Sequence, residues 1–334
     1  MNKSEKIHAV LDGHIFTTPA YAFWTHFPGI DLDPKRLAEQ TYDFYTEYDI
    51  DFIKVMSNGL YAVEDFGCRC DFSDIPSGGV AKIVETPIVR YEDWGTIEPV
   101  SLQATALERE LSSLHLLLRK VGHEAPVVFT VFSPVTIAQK LSQNHLLDYI
   151  TRGETELLHR ALHAIADTTA RLSAKAIELG AAGIFLATQL SSFTSMTEEQ
   201  YQEFGVPYDL RVLKSAQEGW FNILHIHGDA IMFDLLKEYP VQALNWHVWE
   251  TPPTLAEARE LSSKCFLGGI ERHDVTRGDI KALARQIQQS FRESGGYKHI
   301  LTPGCVIRYP LQRDTLSSIH EMIQTISTTP DTSD

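Results

Sequence analysis

Two kinds of pattern alternate along this chain. Runs of consecutive apolar and β-branched residues fall at 20–26, 52–56, 126–132, 183–188, 221–227, 243–249, 265–269 and 299–302. Between most of them, apolar positions recur every three or four residues, at 34–48, 102–121, 154–179, 255–263, 276–293 and 310–326. The first pattern predicts strands buried on both faces; the second predicts helices with one buried stripe. Asp33 ahead of Pro34 reads as an N-cap with proline in the first turn, Thr197-Glu198-Glu199-Gln200 as a capping box, and Gly180 as a helix stop. The span 58–95, with several Gly and Pro and a turn at Ser77-Gly78-Gly79, reads as loop, and Ser133-Pro134 as another turn.

Eight strands alternating with helices predict an α/β fold, a parallel (β/α)8 TIM barrel occupying 1–327, followed by a polar tail at 328–334. A doubly wound open sheet is the alternative, but no Gly-x-Gly-x-x-Gly follows any strand, so a dinucleotide site has no support. In a barrel, function gathers where strands end and loops begin. That rule nominates His26, Asn58, Ser133, Gln189, His225, His227, His247, Glu271 and Cys305.

Composition narrows the partners. The 334 residues carry a formal net charge of -15, which argues against nonspecific nucleic-acid binding and adhesion to anionic membrane while leaving room for a local basic pocket. No apolar run approaches a membrane span, and residues 1–8 have no apolar signal core. Four cysteines are too few for a disulfide scaffold, so a cytoplasmic location is expected. Cys68-Arg69-Cys70 is spaced too tightly for a typical zinc pair and reads as a loop feature; Cys265 opens a strand and reads as a small buried hydrophobe.

His225 and His227 carry the most pointed chemistry. Strand side chains alternate, so both imidazoles face the same way, with Gly228 after them. A pair of metal ligands and a pair of hydrogen-bonded histidines at a strand end both satisfy that spacing.

The segments Phe52-Ile53-Lys54-Val55-Met56-Ser57-Asn58-Gly59-Leu60-Tyr61, Asn245-Trp246-His247, Phe266-Leu267-Gly268-Gly269-Ile270 and Leu301-Thr302-Pro303-Gly304-Cys305 together resemble the uroporphyrinogen decarboxylase superfamily, in consistent order over most of the chain. The resemblance implies a (β/α)8 barrel and divides into two branches. The decarboxylases carry an arginine-rich motif after the first strand, a Phe-Ser-Asp-Ile after the second and a Leu-Gly-His-Gly near the end. Here Phe23-Trp24-Thr25-His26-Phe27-Pro28-Gly29 has no arginine, Asn58 stands where the Asp belongs, and Pro303-Gly304-Cys305 replaces the last motif. Phe72-Ser73-Asp74-Ile75 lies too far from the second strand and reads as a chance match.

The other branch, the zinc methyltransferases that move a methyl group from a corrinoid to a thiol, resembles His-x-Cys on the fifth strand with a distant Pro-Gly-Cys. His225 and Cys305 match in type, and His227 takes the place of the first Cys. The resemblance therefore implies Zn2+ on His225, His227 and Cys305, a thiol or small-acid substrate, methylcobalamin on a partner corrinoid protein, and a homodimer. The alternative is a decarboxylase or lyase of tetrapyrrole metabolism; a third, non-enzymatic reading is a corrinoid-binding or chaperone-like barrel with a vestigial site. Glu271 is expected as a fourth ligand or base, or else as a helix cap. Asn58 is expected beside it in the catalytic site. His26, Gln189, His247 and Arg308 are expected to touch substrate, and Trp24, Phe132 and Trp246 to form an apolar wall.

Overall fold

The computed structural model describes residues 1–74 and 81–326; the Ser77-Gly78-Gly79 turn and the 328–334 tail lie outside them. Among the described residues, ten strands occur in chain order: β1 (Ala20–Tyr21), β2 (Ile53–Lys54), β3 (Arg69–Asp71), β4 (Lys82–Glu85), β5 (Val127–Phe132), β6 (Gly183–Thr188), β7 (Ile223–Ile226), β8 (Ala243–Trp246), β9 (Cys265–Ile270) and β10 (His299–Pro303). Eight of them form one all-parallel sheet in the order β1-β10-β9-β8-β7-β6-β5-β2, with β3 and β4 paired as a separate antiparallel hairpin. This is the expected (β/α)8 TIM barrel. The sheet curls until its end strands meet. Between β1 and β2 no ladder forms; Asp51 joins them, its backbone N–H donating to Tyr21 O at 2.8 Å and its carboxylate accepting from Tyr21 N at 2.9 Å. Lys6 pairs with the same carboxylate at 2.9 Å.

The strands are apolar runs because helices cover one face and the barrel interior fills the other. Every residue of β6, β7, β9 and β10 is buried. The long helix Glu156–Glu178 buries Leu158, Ala161, Leu162, Ile165, Leu172 and Ala176, the stripe its periodicity predicts. Asp33 accepts from Lys35 N and Arg36 N, and Thr197 and Gln200 cap each other reciprocally, both as expected.

Several elements differ from expectation. The helix expected at 276–293 is two, Arg272–Arg277 and Ile280–Ser294. Gly278 adopts a left-handed conformation between them, and Asp279 restarts the helix by accepting from Ala282 N. Ser133-Pro134 opens the helix Pro134–Leu141 rather than a turn, with proline in the first turn. The expected loop 58–95 holds the short helix Tyr61–Glu64 and the β3–β4 hairpin, so Cys70 sits on a strand. A helix at Lys3–Leu11 with an Asn2/Glu5 capping box was not anticipated. Only two residues of the expected first strand join the ladder, followed by an isolated bridge between Thr25 and Ile307. Among the described residues, no helix is long and apolar enough to cross a membrane.

Candidate metal centre

β7 and β8 run in register, with His225 opposite Asn245. Both side chains point into the barrel. His225 Nδ1 lies 2.6 Å from Asn245 Oδ1, while Asn245 Nδ2 donates to Leu267 O at 2.9 Å and to Pro303 O at 3.3 Å. Because the amide NH2 is committed to two carbonyls, its oxygen must accept, so His225 carries its proton on Nδ1 and turns the Nε2 lone pair inward. His227, just past the strand, brings Nδ1 to 3.4 Å from His225 Nε2 and 3.7 Å from Cys305 Sγ. His247, just past β8, sets Nδ1 3.1 Å from Glu250 Oε2, and its buried Nε2 has no hydrogen-bond partner.

Gly304 makes this convergence sterically feasible. A Cβ there would stand 2.8 Å from His247 Cα and 2.9 Å from Trp246 O, so only glycine lets the loop after β10 lie against the end of β8 and deliver Cys305. The ligand atoms of His225, His227, His247 and Cys305 all lie within 4.8 Å of one another. Burial alone would raise the Cys305 pKa, but the neighbouring imidazoles of His225, His227 and His247 hold it well below the ordinary thiol value. Burial pushes His225 down; at His247 it acts the same way, but the nearby Cys305 sulfur and the Glu250 carboxylate outweigh it and raise the pKa. An orphaned, buried imidazole nitrogen facing two more imidazoles and a thiolate-prone cysteine fits a borderline-soft divalent cation such as Zn2+.

Two connected chambers open in front of this group. The inner one, about 130 Å³, is lined by Trp24, Lys54, Phe132, Phe185, His225 and Cys305 among others. The outer one, about 450 Å³, is lined by Asp31, Asn58, Lys140, Arg272, Arg308 and Tyr309 among others. His26, Gln189, His227 and Cys305 face both. His26 is held near 4 by burial and by Lys54. Asn58 lines the outer chamber, its Oδ1 accepting from Leu60 N at 3.0 Å. Arg308 is exposed at the outer rim and makes no ion pair among the described residues.

Three expected residues stand elsewhere. Glu271 lines neither chamber; its two carboxylate oxygens accept from His273 N at 3.0 Å and Asp274 N at 2.7 Å, the N-cap of the next helix. His247 lines neither chamber but stands behind the wall, among the metal-ligand candidates. Trp246 points to the opposite face from Asn245 and packs between Phe233 and Phe266, its Nε1 donating to Pro253 O at 2.9 Å.

Lys54 was missed. Its Nζ is buried in the inner chamber, 2.9 Å from Met56 Sδ and 4.4 Å from the centroid of Phe185, with no carboxylate partner among the described residues. Burial pushes it down to about 7. The signal was present: period 2 from the buried Phe52 and Met56 puts Lys54 on their face of the strand.

Residues 22–326 match the Uroporphyrinogen decarboxylase (URO-D) family. The chain is 22% identical over 209 residues to a methylcobamide:CoM methyltransferase, MtbA, of Methanosarcina mazei, covering 62% of this chain and 60% of the relative; it thus spans about six-tenths of that relative's length. It is 25% identical over 258 residues to a uroporphyrinogen decarboxylase of Gloeobacter violaceus, covering 73% and 72%. A solved methyltransferase structure from Methanosarcina mazei shares the fold with a TM-score of 0.84 at 16% identity, over 96% of this chain and 98% of that one. The match over nearly the whole barrel decides the kinship: the chain belongs to the uroporphyrinogen decarboxylase (URO-D) family.

Proposed function

We propose that this protein is a zinc-dependent methyltransferase that passes a methyl group from a corrinoid, carried by a partner protein, to a small thiol. The observation that carries the reading is the convergence of three imidazoles and Cys305 at the mouth of the barrel, beside the inner chamber. The methylcobamide:CoM methyltransferases among its relatives support the donor and the acceptor class. His225, His227, Cys305 and His247 would hold the zinc. When bound, zinc supplies the Lewis acidity that brings a thiol's pKa into the neutral range.

The chain's own residues account for the rest. Asn245 fixes the tautomer and direction of His225, and Glu250 does the same for His247. Trp24, Phe132 and Phe185 exclude water from the inner chamber and hold the acceptor in line with a donor arriving through the outer one. Lys54, a buried amine with no carboxylate partner among the described residues, favours an acceptor bearing an acidic group. Size favours a small acceptor too. An apolar cavity of about 150 Å³ holds a molecule the size of benzene, and the inner chamber, at about 130 Å³, has no room for a tetrapyrrole.

Metal analysis tests the reading. The purified chain should hold about one zinc ion, and His225→Ala and Cys305→Ala should lose it while keeping the fold. The loaded protein should methylate 3-mercaptopropionate from methylcobalamin. A folded but zinc-free wild type, or formation of coproporphyrinogen from uroporphyrinogen, refutes it.

A further inference from the structure

The inner chamber is basic in a chain whose formal net charge is -15. Lys54 and Lys140 both line it, and among the described residues no Asp or Glu does. Neither amine has a carboxylate partner among those residues: Lys54 Nζ meets Met56 Sδ, and Lys140 Nζ donates to Gly59 O at 3.0 Å. Resting on the proposed methylation of a thiol, the geometry points to an acceptor with two acidic groups, the far one paired with Lys54 and the second, on the carbon that carries the sulfur, paired with Lys140.

The two amines stand at different depths. Lys54 ends β2, and its Nζ lies 4.4 Å from the centroid of Phe185. Lys140 comes from the helix Pro134–Leu141, which follows β5, and its Nζ lies 4.5 Å from the centroid of Phe132. β5 and β6 pair with Thr130 opposite Phe185 and Phe132 opposite Ala187. Phe132 is therefore two residues nearer the C-terminal ends of the strands than Phe185, a step of roughly 6–7 Å along a strand. The chambers agree: Lys54 lines only the inner one, whereas Lys140 lines both. His227 and Cys305 also line both. An acceptor whose sulfur lies at that junction and whose far acid reaches Lys54 brings its sulfur-bearing carbon to the level of Lys140.

Hydrogen-bonding capacity is left at both amines. An ammonium has three N–H donors, and the bond to Gly59 uses one of those on Lys140. Two carboxylates on adjacent carbons reach amines at these two levels through a charge-assisted bond of about 2.7–2.9 Å at each end. Burial pushes Lys54 down to about 7 and Lys140 down to about 8, so the chamber's own walls support neither charge well, and a carboxylate at each amine stabilises it. An acceptor with a single acid answers Lys54 and leaves Lys140 without a counter-charge. A thiol carrying an ammonium group meets no carboxylate in the inner chamber among the described residues.

Calorimetry on the metal-free protein separates the acid contacts from zinc and from methyl transfer. Succinate should bind at least about tenfold more tightly than propionate, the worth of one charge-assisted hydrogen bond. Lys140→Met should bring succinate to the propionate value and leave propionate unchanged, whereas Lys54→Met should weaken both. Lys175→Met, at a lysine paired with Glu178 and lining neither chamber, should match the wild type. On the zinc-loaded protein, mercaptosuccinate differs from 3-mercaptopropionate only by the second carboxylate, and kcat/KM with methylcobalamin should favour it by about tenfold. Succinate no tighter than propionate, or a preference that survives in Lys140→Met, overturns the second acid. Equal or better methylation of 3-mercaptopropionate overturns it too, while leaving the methyltransferase reading standing. Discrimination between the two acids with no methyl transfer to either thiol does the reverse.

Discussion

Replacing Gly304 with alanine tests the packing on which the whole site depends. The added Cβ would meet His247 Cα at 2.8 Å and Trp246 O at 2.9 Å, both backbone atoms that cannot rotate away. The loop after β10 must retreat, straining the bond from Gly304 N to Ile270 O, now 3.3 Å. Overpacking of this kind costs about 1–3 kcal/mol. The larger effect falls on the metal. Cys305 is the next residue, and its sulfur sits 3.7 Å from His227 Nδ1, so a retreat of a few tenths of an ångström spoils the donor geometry. Zinc affinity should fall by about 10–100-fold, the range seen when ligand support is lost. Urea denaturation with an unchanged slope measures the stability term, and competition with a chelator measures the affinity. Gly95→Ala is the control, because its Cβ would meet only Leu157 at 3.7 Å, an ordinary contact. If Gly304→Ala matches Gly95→Ala in both assays, the close approach does not hold Cys305 in place.

Two further outcomes follow from buried polar groups. Asn245→Leu strands the Nδ1–H of His225 and removes the amide donor from two backbone carbonyls; the apo protein should lose about 1–3 kcal/mol and zinc affinity about 10–100-fold, and wild-type affinity by chelator competition would show that His225 needs no support. For Lys54, burial holds the amine down to about 7 against an ordinary value of 10.5, so between those values the unfolded chain binds a proton that the native chain lacks. Native stability therefore rises with pH across that window, by up to about 1.4 kcal/mol per unit. Lys54→Met should be most stabilising at pH 6 to 7, with the gain shrinking toward pH 10; a pH-independent difference in denaturation free energy contradicts the burial argument.

The barrel was legible because its strands are buried on both faces and read as unbroken apolar runs, as Val127–Phe132 and Cys265–Ile270 do. Pairings between distant segments were not: nothing local to Arg69–Asp71 announces Lys82–Glu85 as its partner. At the site, His225, His227 and Cys305 could be singled out from strand parity and motif. The approach of His247 to them could not, because it depends on a missing Cβ 57 residues downstream at Gly304. Trp246 is a different case. Asn245 and Trp246 are neighbours on one strand, so only one can face the barrel interior, and applying period 2 there would have sent the tryptophan outward. Glu271 likewise carried its capping role in the sequence, as an acidic residue at the entry to a helix.

The way the barrel closes divides the chamber into unlike halves. The donors stand on β7 or just past the ends of β7, β8 and β10, strands bonded continuously to their neighbours. Trp24 follows β1 and Lys54 ends β2, on either side of the seam that Asp51 and the Tyr21 hydroxyl fasten. One side is stiff, as a group of four donors requires. The other has no ladder between β1 and β2, yet Trp24 O accepts from Ile307 N at 3.1 Å, two residues past Cys305. Any widening at the seam therefore falls on the Lys54 side, because Trp24 is tied to the loop that delivers Cys305.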